Sequence, residues 1–487
     1  MDGIPHFFEA LPLALQHVVA MIVGCVTPAI IVAGAAGLSQ PDRVLLIQAS
    51  LIAAAIGTFL QLYPIGRRTG LHFGAGLPVI FGVSFAYVPT MQSLASEYGV
   101  AAILGAQIFG GSCAILVGLA IRRIRHFFPP LVAGTVVFTI GLSLYPIAIN
   151  YMAGGVGSPT YGSWKNWVVA LFTLVVVIFF THFGKGLLRL ASILVGILAG
   201  YILALSMGMV QFDNVANAGY LQVPQVLHFG LEFDIPACIA ISVLFIINSV
   251  QAIGDFSATT SGAMNRPPTS DELHGALLGL GATNILGAFL GFLPTSTFGQ
   301  NVGIVTTTKV INRATLALAA IIILIAGIVP KFSGLLTTIP YAVLGGATVS
   351  VFASIAMTGI RLALSDGATP RNMSIIGLAV AMGMGLSAAP ESLYLFPAWV
   401  TTIFGKAPVV IASIIAISLN LILPKRHGTP RWMNFLTAGE APSRLGMAMP
   451  MVIVWGGSMG RIATRPCHCA VMRRLFILTP RPASTMR

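Results

Sequence analysis

Gly76-Leu77-Pro78-Val79-Ile80-Phe81-Gly82-Val83-Ser84-Phe85 and Pro294-Thr295-Ser296-Thr297-Phe298-Gly299-Gln300-Asn301-Val302-Gly303 decide how this chain is read. Both stretches sit among long apolar segments. Each is short, rich in glycine and carries small polar residues where a plain span would hold Leu or Val. In hydrocarbon every backbone N–H and C=O needs an internal partner, so irregular backbone survives only where protein or a water-filled cavity satisfies it. Two interrupted segments at corresponding places in two halves point to a solute site between them. The plainer alternative is a pair of ordinary helices using glycine for close packing.

Working outward, the composition demands a bilayer. Of 487 residues, 56% are hydrophobic and 8% charged, where a soluble domain carries about 25% charged residues. Apolar segments fall near 12–37, 44–63, 72–88, 98–121, 128–151, 166–183, 190–210, 235–260, 273–293, 298–311, 314–330, 339–360, 373–388 and 407–424, fourteen in all. A spanning helix needs about 20 apolar residues, so the third and tenth segments are too short for plain spans. The reading is an all-α polytopic membrane protein with a 7+7 inverted repeat, its third and tenth spans broken. The N-terminus has no basic region followed by a short apolar run and cleavage site, so residues 12–37 read as a retained span.

Basic residues orient it. With the N-terminus in the cytoplasm, inside loops hold Arg67, Arg68, Arg122, Arg123, Arg125, Lys185, Arg189, Arg266, Lys309, Arg313, Arg361 and Arg371. Outside loops hold Arg43, Lys165, Lys331 and Lys406. Cytoplasmic loops carry the excess of Lys and Arg, which supports an even span count and places both termini in the cytoplasm. The net charge of +13 is therefore a topology signal and not a nucleic-acid face. Residues 425–487 form a basic cytoplasmic tail unlike the rest. The five cysteines are scattered, so no disulfide framework is implied; Cys467-His468-Cys469 has no second ligand pair, and no metal is expected.

Of thirteen acidic residues, Asp255 alone lies well within an apolar segment. A carboxylate there costs about 2.5–3.5 kcal/mol to insert, which is tolerated for a proton relay or ion site, or where the group reaches an interface. Gln251 sits four residues earlier on the same helix face, with Asn248 and Ser249 nearby. A glutamine amide offers one acceptor and two donors, matching the amide edge of a flat heterocycle; Gln300 and Asn301 offer the same chemistry. Phe85 could stack on such a ring, although an aromatic in an apolar span more often packs. His17, after Gln16 in the first span, reads equally as an interhelical hydrogen bond or as a proton-linked group. An intramembrane enzyme would need convergent nucleophile, base or metal ligands, and none is visible.

Gln300-Asn301-Val302-Gly303-Ile304-Val305-Thr306-Thr307-Thr308-Lys309 resembles the signature of the nucleobase–ascorbate transporters, also called nucleobase:cation symporter-2. That signature is Gln, Glu or Pro, then Asn, any residue, Gly, four of any kind, Thr, and Arg, Lys or Gly. Gln16-His17 and Ser84-Phe85 are similar to two further family motifs, and the resemblance covers roughly residues 10–424. It implies a membrane transporter domain over 1–424. The substrate-holding core would be about 12–121 and 235–330, and the gate about 128–210 and 339–424. It also implies a homodimer in a bacterial inner membrane, with no cofactor and with H+ as coupling ion, Na+ being the alternative. The implied substrate contacts are Gln251, Gln300, Asn301, Phe85, Ser84 and Gly299; the implied ion-coupling groups are Asp255 and His17.

An opening Gln in the signature resembles the xanthine and uric acid carriers, so the expectation is proton-coupled uptake of a purine-type nucleobase such as urate or xanthine. A uracil or pyrimidine permease, or a sulfate- or bicarbonate-like anion carrier on the same architecture, are the alternatives. Two departures bear on this. The family's substrate-binding Glu in the eighth span is Gln251 here, and the ninth-span region Gly279-Leu280-Gly281-Ala282-Thr283-Asn284 carries no acid.

Overall fold

The two glycine-rich breaks reappear as short extended strands that lead into helical starts. The structure is a computed structural model that describes residues 3, 5–66, 71–124, 129–210, 219–222, 225–397, 400–401 and 407–424. The tail from residue 425, with Cys467, His468 and Cys469, lies outside the described residues, as do Arg67, Arg68, Arg125 and Lys406.

The first half runs α1 (Phe7–Ala35), α2 (Gln40–Leu62), β1 (Phe81–Val83), one 3-10 turn (Phe85–Tyr87), and α3 (Val88–Ile124). It continues with α4 (Pro130–Ser143), α5 (Tyr145–Met152), α6 (Trp164–Phe183), α7 (Leu187–Leu190) and α8 (Ser192–Ser206). The second half runs α9 (Ile235–Met264), α10 (Ser270–Phe289), β2 (Thr295–Thr297), α11 (Gly299–Thr308), α12 (Arg313–Ile328) and α13 (Pro330–Thr337). It closes with α14 (Tyr341–Ala363), α15 (Pro370–Ala388) and α16 (Pro408–Ile422).

Local chemistry sets the helix starts. Ser39 caps α2 by accepting from the Asp42 N–H, with Pro41 in the first turn. Asp234 caps α9 through the Ala237 N–H, and Thr269 with Glu272 forms a reciprocal capping box on α10. Among the described residues, seven helices are long and apolar enough to cross a membrane. The pair α12–α13, bent by 80° at Pro330, makes an eighth. The chain is a mostly helical, multi-pass membrane protein.

One boundary moves. The third apolar segment does not stop near residue 88: helix continues through Tyr98 and breaks at Gly99, whose φ of 81° only glycine adopts freely. Residues 88–98 carry Thr90, Gln92, Ser93, Ser96 and Glu97, which end a hydropathy run without ending a helix.

The helices pack in two groups. In one, α3 lies against α9 and α10, and α12 against α1 and α2. In the other, α14 lies against α4, α5 and α6, and α16 against α4 and α15. The first group is stitched by the two strands, which pair antiparallel as Phe81↔Thr297, Gly82↔Ser296 and Val83↔Thr295. The Phe298 ring is clasped between Gly24 of α1 and Gly82 of β1, where any side chain would overlap it.

Candidate functional site

Extended backbone inside an apolar protein needs partners beyond its own strand, and the neighbouring helices supply them. Thr58 Oγ1 of α2 accepts from the Phe81 N–H at 3.0 Å. Asn284 of α10 clamps β2: its Oδ1 accepts from the Thr295 N–H at 2.8 Å, and its Nδ2 donates to the Thr295 carbonyl at 3.1 Å. Gln107 of α3 then donates to the Asn284 backbone carbonyl at 3.0 Å. The ladder continues past both strand ends, from the Ser84 N–H to the Pro294 carbonyl and from the Phe298 N–H to the Ile80 carbonyl.

Each strand feeds a short helical start, the 3-10 turn after β1 and α11 after β2. The free N–H groups at such starts carry partial positive charge. Asp255 of α9 meets the start of α11. Thr297 Oγ1 donates to Asp255 Oδ2 at 2.5 Å, and a side chain grown at Gly299 would come within 3.6 Å of Asp255 Oδ1. The carboxylate is half-buried, and Gly299 is exposed beside it.

Gln251, one turn before Asp255, faces a narrow space bounded by Val132 and Val136 of α4 and by Ser413 and Ile417 of α16. Gln251 therefore lies at the seam between the two helix groups. Gln300 is half-buried at the start of α11, directly after Gly299. Neither glutamine side chain makes a hydrogen bond with a described residue. Gln251 thus sits one helical turn before the carboxylate, and Gln300 directly follows the glycine beside it.

The other expected residues are placed differently. Asn301 is buried, and its Nδ2 donates to the His17 carbonyl and approaches His17 Nδ1, both at 3.1 Å. A carbonyl only accepts, so the amide nitrogen faces His17 and the ring proton sits on Nε2. The pair locks α11 to α1. Ser84 caps its own turn by accepting from the Ala86 N–H at 3.3 Å. Phe85 is buried and packs edge-to-face on Phe352 of α14, with ring centroids 5.2 Å apart. Lys309 caps α11 in the left-handed region and donates to the Gly262 carbonyl of α9.

Sequence reasoning does not reach Thr297, Thr58 or Asn284 as site residues, nor the Asn248–Tyr87 bond (2.9 Å). The signal there is the presence of small polar residues in apolar stretches, which does not reveal partners far apart in the chain.

A profile described as the permease family matches residues 8–392. The xanthine permease of Bacillus subtilis is 34% identical over 418 residues, covering 85% of this chain and 94% of its own. The xanthine permease of Escherichia coli is 32% identical over 456 residues, 90% and 96% of the two chains. A uric acid permease of Bacillus subtilis is 34% identical over 414 residues, 85% and 95%. Among solved structures, the transmembrane domain of a cyanobacterium bicarbonate transporter, BicA, superposes with a TM-score of 0.55 at 16% identity. That match covers 85% of this chain and 98% of BicA's. SLC26A9 gives 0.58 at 11% identity, over 85% of this chain and 65% of its own. At these identities the likeness is one of fold.

Proposed function

This chain belongs to the permease family of nucleobase:cation symporters, and from that premise we propose that it takes up a purine-type base such as urate or xanthine together with a proton. The observation that carries this reading is Asp255 against Thr297 and Gly299 at the second broken segment, with Gln251 one turn before it and Gln300 next to Gly299. An oxopurine presents alternating N–H and C=O groups along its edge, and a glutamine amide answers both.

In this reading Asp255 couples the proton. As a carboxylate it is held by Thr297 and by the positive start of α11; protonated, it crosses hydrocarbon without the cost of a buried charge. Proton and substrate then load together and move together. Phe85 and Ser84 form the wall behind the base, Asn301 and His17 hold α11 in register, and Gly299 leaves room for substrate to approach the backbone. The group of α1–α3 and α9–α12 serves as the core, and α4–α8 with α14–α16 as the gate against which it moves. The full architecture is fourteen spans in a 7+7 inverted repeat, as a homodimer in a bacterial inner membrane with cytoplasmic termini.

The test is uptake of radiolabelled urate, xanthine and uracil by cells lacking their own carriers, with and without a proton uncoupler. Uncoupler-sensitive accumulation of urate or xanthine is expected. No accumulation above vector controls removes the substrate assignment, and uncoupler-insensitive accumulation removes the proton.

A further inference from the structure

A polar cavity lies apart from Asp255, against the N-terminal end of α2. It holds about 230 Å³ and is lined by Gln40 and Arg43 of α2, Thr337 and Tyr341 around the α13–α14 turn, Met209 and Ile47. About 30 Å³ is one water's share of the liquid, so the space admits a small organic molecule. Its positive charge comes from Arg43, while the Thr337 and Thr338 hydroxyls donate to the Gly334 and Leu335 carbonyls. Arg43 Nε donates to the Leu38 carbonyl at 2.9 Å, which aims the guanidinium and leaves both terminal nitrogens without a bond to a described residue. The Tyr341 hydroxyl and the Gln40 amide are likewise uncommitted.

Among the described residues, no carboxylate lines this cavity. Asp42, next to Arg43, is occupied by the Ser39 hydroxyl at 2.7 Å and by His228 Nε2 at 2.8 Å. Two long helices also begin here, α2 at Gln40 and α14 at Tyr341, and helix starts favour negative charge. Apolar side chains make up the other walls, which suits a flat organic ion better than a hydrated inorganic one.

We propose that this cavity is an outer capture site for the anionic form of an oxopurine, with Arg43 as its fixed counter-charge, filled before substrate reaches Asp255. The choice of oxopurine rests on the proposed function; the selection for a planar organic anion does not. Urate, an anion at neutral pH, is its probe, and hypoxanthine, neutral there, is the control.

The experiment places a thiol in the cavity by Met209→Cys in the purified full-length protein and follows its modification by anionic and cationic methanethiosulfonates. Modification is read as the increment over the parent chain, and Ile339→Cys is the second reporter should the first fail to purify. The anionic reagent should react faster, with the anion-to-cation rate ratio falling about tenfold on Arg43→Gln and surviving Arg43→Lys. Urate should slow the reaction, while hypoxanthine and inorganic phosphate at the same concentration should not. A ratio indifferent to Arg43→Gln overturns the site. Equal protection by phosphate overturns the organic-anion class. Loss of cellular uptake with urate protection intact would instead count against the proposed transport function and leave this site standing.

Discussion

Thr297 Oγ1 donates to Asp255 Oδ2 at 2.5 Å, joining positions 42 residues apart and tying the strand of one broken segment to the helix that bears the acid. A hydrogen bond to a charged group is worth about 1.5–3 kcal/mol, or roughly tenfold to a hundredfold in an equilibrium constant. Thr297→Val should therefore lower uptake by about tenfold or more while the protein still inserts and purifies. Thr297→Ser keeps the hydroxyl and should restore most activity. Initial uptake rates of both variants, normalised to membrane content, check this; equal rates for Val and wild type would mean the bond does not position the carboxylate.

Asn284 supports the same strand from behind, satisfying both backbone groups of Thr295. Asn284→Leu leaves a buried donor and a buried acceptor unpaired, each costing about 1–3 kcal/mol. The melting temperature in detergent should fall by several degrees. Asn284→Asp keeps the acceptor for the Thr295 N–H and should fall less. A melting temperature unchanged in Asn284→Leu would show that β2 finds other partners.

How legible was this in the sequence? The broken segments were, because Gly, Pro, Ser and Thr clustered where spans need Leu and Val, and Asp255 was, because it was the lone acid in hydrocarbon. The pairing of Phe81 with Thr297 was not. Strands of three residues are too short to show a period of two, and no local rule links positions more than two hundred residues apart. Gly99 was invisible for another reason: hydropathy reports burial in lipid, whereas the helix carrying Thr90 is decided by the packing of Met91, Leu94 and Ala95 inside the protein. Phe85 illustrates the limit of composition. The sequence could not distinguish a stacking platform from a packing residue, and its partner Phe352 comes from α14, far along the chain.

The clasp on Phe298 should be among the least tolerant spots. Gly82→Val forces a side chain into the ring from β1, and Gly24→Val does so from α1. Overpacking of this kind costs about 1–3 kcal/mol. Combining Gly82→Val with Phe298→Ala removes the ring from that overlap and leaves only the Cys25 Sγ contact, so the double variant should melt higher than the sum of its two single losses allows. A strictly additive result would mean that Gly82 does not meet the ring.

A pH effect is expected on the loop side of α10, where Glu272 precedes the apolar run that begins at Leu273. Burial pushes its carboxyl upward, but the Arg266 fork and the Thr269 N–H outweigh this and hold it below the usual carboxylate range. A depressed native value contributes stability that is fully present above the unfolded value, about 4.3 for Glu, and is lost as pH falls through the native one. Wild type should thus melt above Glu272→Gln at pH 6 to 7, with the gap closing below about pH 4. Melting curves of both proteins across that range decide it, and a gap that persists in acid would assign the advantage to something other than the ionised carboxylate.

Gln251 separates binding from coupling. Its amide makes no bond with a described residue and faces the seam between the two helix groups, so replacing it should not disturb the fold. If it holds the base equally in ground and transition states, Gln251→Leu removes uniform binding, which raises KM without changing kcat. A neutral hydrogen bond of about 0.5–1.5 kcal/mol corresponds to roughly a twofold to tenfold rise in KM. Gln251→Glu keeps an acceptor at the same reach. It should leave KM within about threefold if the base donates an N–H to position 251, and raise it as far as Leu does if the base accepts from the amide. Asp255→Asn, by contrast, removes the only titratable group among Gln251, Asp255 and Gln300 and should abolish uncoupler-sensitive accumulation while leaving urate binding measurable. Kinetics of the three variants on one substrate therefore report which group holds the base and which carries the proton. An unchanged KM for Gln251→Leu would exclude position 251 from the substrate's edge.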